Sequence, residues 1–257
     1  ILDMRILVLT LTLMMSFLSH SAFASESKDE KTVELSASLT KLGEGSFGEV
    51  SLYLGTDGQK YAIKKANRCQ YNGSIKNEVD ILRYLLGKRD EGDKQHIVTI
   101  IDGDFPEGVF MLEYWSGNLS ESRKTLFENP DLRRGIRRQL KDAVEFIHKC
   151  GVTHCDLKPA NILFNGTDRV VLCDFGLSHN FTNSWIKIER ELRDYCYIVT
   201  RWYRPPHLCH KRAVEYLVAG GLVSAKDHLE KADWWSLGCV YAQMALGEPL
   251  FPGDSDE

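Results

Sequence analysis

Hydrophobic and polar positions change their rhythm several times along the chain. Residues 35 to 65 alternate apolar and polar with glycine punctuation, which predicts twisted antiparallel strands. Ile75, Val79, Leu82, Leu85 and Leu86 recur at helical spacing and predict a helix over 74–87. More strand pattern follows over 97–114. Helical periodicity returns over 132–149, carried by Leu132, Ile136, Leu140, Val144 and Ile147, and again over 233–246. Pro130 and the charged stretch Lys88 to Lys94 read as surface loops. The order predicts an α+β, bilobal chain, strands with one helix first and a mainly helical part second.

The N-terminal pattern differs from all of these. After Met4 and Arg5, the stretch Ile6 to Phe17 is apolar apart from two Thr and one Ser. Ala22-Phe23-Ala24 fits a small-x-small cleavage rule, and the polar run Ser25 to Lys31 follows. Twelve residues of helix span about 18 Å, short of a hydrocarbon core of about 30 Å. These regions predict a signal peptide over 1–24 with a short upstream extension, then a polar linker over 25–36. A buried helix or an uncleaved anchor is the alternative. The export reading implies a secreted protein with no stable membrane span after cleavage, working in a secretory lumen or delivered into another cell.

Composition narrows the class. The 257 residues are 43% apolar and 26% charged, with a net charge of −4. That excludes disorder and argues against a nucleic-acid partner, which calls for a strong basic excess. Seven scattered cysteines do not form a disulfide scaffold.

Candidate chemistry starts at Gly43-Glu44-Gly45-Ser46-Phe47-Gly48-Glu49-Val50, a G-x-G-x-x-G-x-V run. Its glycines allow backbone N–H groups to approach phosphate oxygens. Val50 to Leu54 continues as strand, so a dinucleotide-binding turn, which needs a helix there, is excluded. Lys64 follows on a strand after Ala62, a residue small enough to pack under a flat base. Glu78, on the next helix, is positioned to pair with Lys64. The strongest signal is His154-Cys155-Asp156-Leu157-Lys158-Pro159-Ala160-Asn161-Ile162-Leu163, which puts a carboxylate, a cation and an amide on one loop. Asp156 suits orienting an acceptor hydroxyl and taking its proton, and Lys158 suits neutralising a migrating phosphoryl group. Asn161 and the Asp174 of Asp174-Phe175-Gly176 suit a hard Mg²⁺ ion.

With these motifs in place the chain resembles the eukaryotic-type serine/threonine protein kinases, from about Leu42 to the last residue. The resemblance implies an N-lobe and hinge over 37–115 and a C-lobe over 116–257. It implies an ATP site built from Gly43, Gly45, Gly48, Val50, Ala62, Lys64, Glu113, Trp115 and Leu163, with Glu113 and Trp115 meeting adenine through their backbone. By the same resemblance Asp156 is the base, Lys64 pairs with Glu78 while binding phosphates, and Asn161 and Asp174 hold Mg²⁺. The acceptor would be a serine or threonine of a protein substrate. Val199-Thr200-Arg201-Trp202-Tyr203-Arg204-Pro205-Pro206 and Asp233-Trp234-Trp235-Ser236 are similar to the CMGC group of cyclin-dependent, MAP and dual-specificity kinases.

Tyr195 and Tyr197 sit where that group carries a phosphorylated pair, whose charge Arg201 and Arg204 would clasp. An ordinary packed tyrosine is the equal alternative. Three departures stand out. Cys155 replaces the family's arginine, which binds the activation-loop phosphate. His207 replaces a glutamate. The 25 residues between His207 and Asp233 form a long connection, with an extra helix expected over 214–223. The motifs end at Phe251-Pro252-Gly253, where the family continues, so an incomplete C-lobe with exposed apolar surface is expected. Two other readings stay open, a non-catalytic kinase-like binding module and a small-molecule kinase. Oligomeric state is not legible.

Overall fold

The structure, a computed structural model, describes residues 35–45, 48–66, 75–89, 96–101, 108–182, 199–209 and 224–253. The proposed signal peptide, nearly all of the linker, Ser46, Phe47, Tyr195, Tyr197 and the helix expected over 214–223 lie outside these residues.

Strands β1 (Leu35–Gly45), β2 (Gly48–Gly55) and β3 (Lys60–Ala66) fulfil the alternating pattern. With β4 (Ile100–Ile101) and β5 (Val109–Glu113) they form one antiparallel sheet in the order β1-β2-β3-β5-β4. The hairpin between β1 and β2 closes on the pair Gly45 and Gly48. Gly48 has φ +151°, and a Cβ there would lie 2.2 Å from the Lys65 carbonyl oxygen, so only glycine fits this approach. Register places Val50 opposite Lys64, Leu52 opposite Ala62, and Ala62 opposite Leu112. Directly opposed residues share a face, so Val50, Ala62, Lys64 and Leu112 line one side of the sheet.

Helix α1 (Lys76–Leu86) buries Ile81, Leu82 and Leu85, and also Glu78. A buried carboxylate on an apolar face needs a partner, which the site supplies. In the second half, β6 (Gly117–Asn118), β8 (Ile162–Phe164) and β9 (Val170–Leu172) make a small sheet, and β7 (Val152–Thr153) pairs with β10 (His179–Asn180). These short strands frame the loops that carry the candidate residues.

Helix α2 (Arg123–Glu128) is short, and α3 (Pro130–Lys149) is the long amphipathic one. Pro130, expected in a loop, is instead its first residue. The Asn129 side chain caps the helix by accepting from Leu132 N at 3.0 Å, and proline is tolerated at that position because its missing N–H would go unbonded anyway. Ile136, Leu140, Ala143, Val144 and Ile147 are buried, and the helix packs on β7, β9 and α4 (Ala225–Leu246).

Helix α4 begins eight residues before the expected 233, so the last part of the connection after His207 belongs to it. Ser224 caps its start by accepting from Asp227 N at 3.1 Å, and Gly247, at φ +80°, ends it. Its far end leaves Leu246 exposed, with Leu250 and Phe251 beyond it. Trp234 and Trp235 are also exposed, and Trp235 stacks on Phe251. Among the described residues no helix is long and apolar enough to cross a membrane.

Candidate active site

Lys64 projects from the central strand β3 and meets two carboxylates. Its Nζ lies 2.6 Å from Glu78 Oε2 and 2.8 Å from Asp174 Oδ1. The predicted Lys64–Glu78 pair therefore forms across the sheet and α1. Burial disfavours charge on Lys64, but the two carboxylates outweigh it and raise its pKa. Burial pushes the Glu78 carboxyl up to about 7, with Lys64 pulling against that shift. Asp174 is half-buried, which pushes its carboxyl up, yet Lys64 beside it holds it below the ordinary carboxylate value. The site keeps a charged lysine between two acids.

Asp156 lies in the loop after β7, and its two oxygens are divided. Oδ1 accepts from Thr200 Oγ1 at 2.6 Å, while Oδ2 accepts from Lys158 Nζ at 2.7 Å and Asn161 Nδ2 at 3.0 Å. Lys158 Nζ also donates to Thr200 Oγ1 at 3.0 Å. Asn161 Nδ2 donates a further bond to the Asp156 carbonyl at 2.9 Å. With both amide hydrogens spent on Asp156, the amide oxygen is the atom left for a hard cation. Asn161 and Asp174 are tied through the backbone, because Cys173 N donates to Asn161 O at 3.0 Å.

The loop is held from below by one carboxylate. Asp233, on α4 and 1% exposed, accepts from His154 N and Cys155 N, both at 2.8 Å, and from His148 Nε2 at 2.9 Å. Asp156 N donates to His154 Nδ1 at 3.2 Å, so the other ring nitrogen, Nε2, is the donor to Cys173 O at 3.0 Å. Cys155 and Asp174 adopt positive φ, 65° and 64°, a strained backbone at two corners of the site. Cys155 itself is 1% exposed. It packs with Leu229, Leu177 and Phe181, so the position where the family carries an arginine is apolar here. Among the described residues, Cys150, Cys155, Cys173 and Cys239 form no disulfide.

Other predicted positions are placed as follows. Ala62 and Leu112 are buried in one apolar cluster, against which Val50, Trp115 and Leu163 pack. A Cβ added at Gly43 would meet nothing within 4 Å, in contrast to Gly48. Glu113 turns its carboxylate to Thr99 N at 2.8 Å, and its own N–H donates to Thr99 O at 3.0 Å. Arg169 lies over the Trp115 ring at 5.7 Å. Arg204 donates to the Val199 carbonyl from Nε at 3.0 Å and Nη2 at 2.8 Å, whereas Arg201 is exposed. The tyrosines that these arginines are expected to serve lie outside the described residues.

Three residues with central positions have no role in the motifs themselves: Thr200, Asp233 and Asn77. The first two stand inside quoted motifs, but their partners lie 44 and 78–79 positions away, where spacing gives no signal.

Comparison with known proteins agrees with this geometry. A family model described as "Protein kinase domain" matches residues 36–257. Cyclin-dependent kinase 20 of Danio rerio is 30% identical over 227 residues, covering 85% of this chain and 59% of that protein. Mitogen-activated protein kinase 19 of Arabidopsis thaliana is 32% identical over 232 residues, covering 84% and 35%. Mitogen-activated protein kinase 16 of Oryza sativa subsp. japonica is 32% identical over 238 residues, covering 90% and 44%. The chain thus spans between 35% and 59% of the length of these relatives. With a β-sheet lobe, a helical lobe and this charged cluster between them, the chain belongs to the protein kinase domain family and is CMGC-like within it.

Proposed function

We propose that the chain transfers the γ-phosphoryl group of ATP to serine or threonine hydroxyls of a protein acceptor. The observation that carries this reading is the Asp156 carboxylate, fixed by Thr200, Lys158 and Asn161 in one buried loop. The new bond joins the acceptor oxygen to the γ-phosphorus, and the bond from the γ-phosphorus to the bridging oxygen of ADP breaks. The hydroxyl proton passes to Asp156. Lys158, beside that carboxylate, offers positive charge to the migrating group.

Lys64 has three N–H donors and spends two on Glu78 and Asp174, which leaves one for a phosphate oxygen. The Gly43–Gly48 hairpin can bring backbone N–H groups over the same phosphates. The donor set fits Mg²⁺, since Asn161 keeps an amide oxygen and Asp174 stays ionised beside Lys64. When bound, Mg²⁺ supplies neutralisation of phosphate charge. The predominant contribution of the protein is then positioning and electrostatics. Similarity to cyclin-dependent and MAP kinases supports a protein acceptor.

The test is incorporation of labelled γ-phosphate from Mg-ATP into a basic protein, followed by phosphoamino-acid analysis. Asp174→Ala and Asp156→Asn should each lower incorporation by about a hundredfold or more, with label found on serine or threonine. Incorporation unchanged in both folded variants would sink the reading.

A further inference from the structure

Helix α1 brings a second side chain to the Asp174 loop besides Glu78. The Asn77 amide Nδ2 donates to the Ser178 carbonyl at 2.8 Å and lies 3.4 Å from the Gly176 carbonyl and 3.5 Å from that of Phe175. Its neighbour Glu78 reaches the same loop through Lys64, whose Nζ also donates to Asp174 Oδ1 at 2.8 Å. Two consecutive residues of one helix therefore meet the Asp174 loop, Asn77 directly on the carbonyls of its turn and Glu78 by way of Lys64. That turn is otherwise held by Ser178 N to Phe175 O at 3.1 Å and by Ser178 Oγ to His154 O at 3.0 Å. Asp174, at its start, sits at a strained positive φ and needs external support to keep that conformation. Cys155, the position from which the family's arginine would act, packs among Leu229, Leu177 and Phe181 and contributes no charge.

We propose that Asn77 is a positioning residue for phosphoryl transfer: its amide clasps the 175–178 turn to helix α1 and so sets Asp174 against Lys64. It touches no substrate and acts through Asp174. The proposal rests on the kinase reading above for its activity readout, and on hydrogen exchange for an independent one.

Asn77→Asp keeps the shape, removes both donors and sets a carboxylate against three carbonyls. Asn77→Ala removes the donors without adding charge. At pH 8 each should lower kcat by about tenfold, the worth of one or two net hydrogen bonds, with KM for the protein acceptor unchanged. The apparent Mg²⁺ requirement should rise. As pH falls to about 6, burial favours protonation of the introduced carboxyl, which regains a donor. The activity of Asn77→Asp relative to Asn77→Ala should then climb several-fold, a profile that a purely structural role would not produce. Amide exchange over 174–180 in the full chain should quicken in both variants at pH 8. Wild-type kcat and wild-type exchange in both variants would overturn the proposal. So would slow turnover with a flat pH ratio and unchanged exchange. If the wild-type chain transfers no phosphate, the kinase reading fails on its own, and the exchange comparison still decides whether Asn77 holds the turn.

Discussion

Thr200 links the two charged side chains of the catalytic loop, donating to Asp156 and accepting from Lys158. Hydrogen bonds to ionised groups contribute about 1.5–3 kcal/mol each. Thr200→Val should therefore lower kcat/KM by about ten- to a hundredfold while Thr200→Ser retains most of it, as read by steady-state kinetics. A valine variant with full activity would show that Asp156 needs no such support. Lys64, Glu78, Asp156, Asn161 and Asp174 are all legible in the sequence, because their chemistry comes in short runs with fixed neighbours. Thr200, Asn77 and Asp233 are not. Each acts through a bond to a distant segment, and a threonine, an asparagine or an aspartate alone carries no local pattern.

Among the elements, the β1–β2 hairpin makes the sharpest demand on its residues. Alanine at Gly48 would collide with the Lys65 carbonyl in a backbone conformation that side chains avoid, whereas a Cβ at Gly43 meets open space. Gly48→Ala should destabilise the fold by on the order of 1–3 kcal/mol, and Gly43→Ala by far less, in denaturant unfolding. Equal stability of the two would refute this account of the hairpin. Helices α1 and α3 are legible because one apolar stripe repeats at helical spacing. The start of α4 gives no such signal, since Lys226, Asp227, Glu230 and Lys231 surround Leu229 there and no stripe stands out. Farther along, the periodicity over 233–246 does mark the helix, although polar Asp233, Ser236 and Gln243 lie on its buried face and Trp234 and Trp235 are exposed. Pro130 misleads for a different reason: proline signals a boundary, and whether a helix ends or begins there depends on the cap beside it.

At the scale of the whole molecule, acid should loosen the packing of the 206–208 turn on α4. His207 and His228 face each other with ring centroids 4.4 Å apart, and Nε2 of each is buried without a hydrogen bond. Burial first, then His207 and Lys231, depress His228 to about 4, and burial with Lys231 also lowers His207. A histidine whose folded pKa lies below its unfolded value near 6.5 stabilises the fold fully above that value. The contribution is lost as pH falls from about 6.5 towards 4. On this basis the pair's own contribution should fall by on the order of 2 kcal/mol between pH 7.5 and pH 5, read as the difference between wild type and His228→Phe in denaturant unfolding at the two pH values. An unchanged acid limb in the variant would exclude the pair as its source. Asp233 has a broader consequence. One carboxylate joins the end of α3, the backbone of the catalytic loop and the middle of α4. No part of that junction can open alone and leave a working loop behind. The proposed activity should therefore be lost together with the packing of α3 on α4, because melting either helix releases the anchor of the loop backbone.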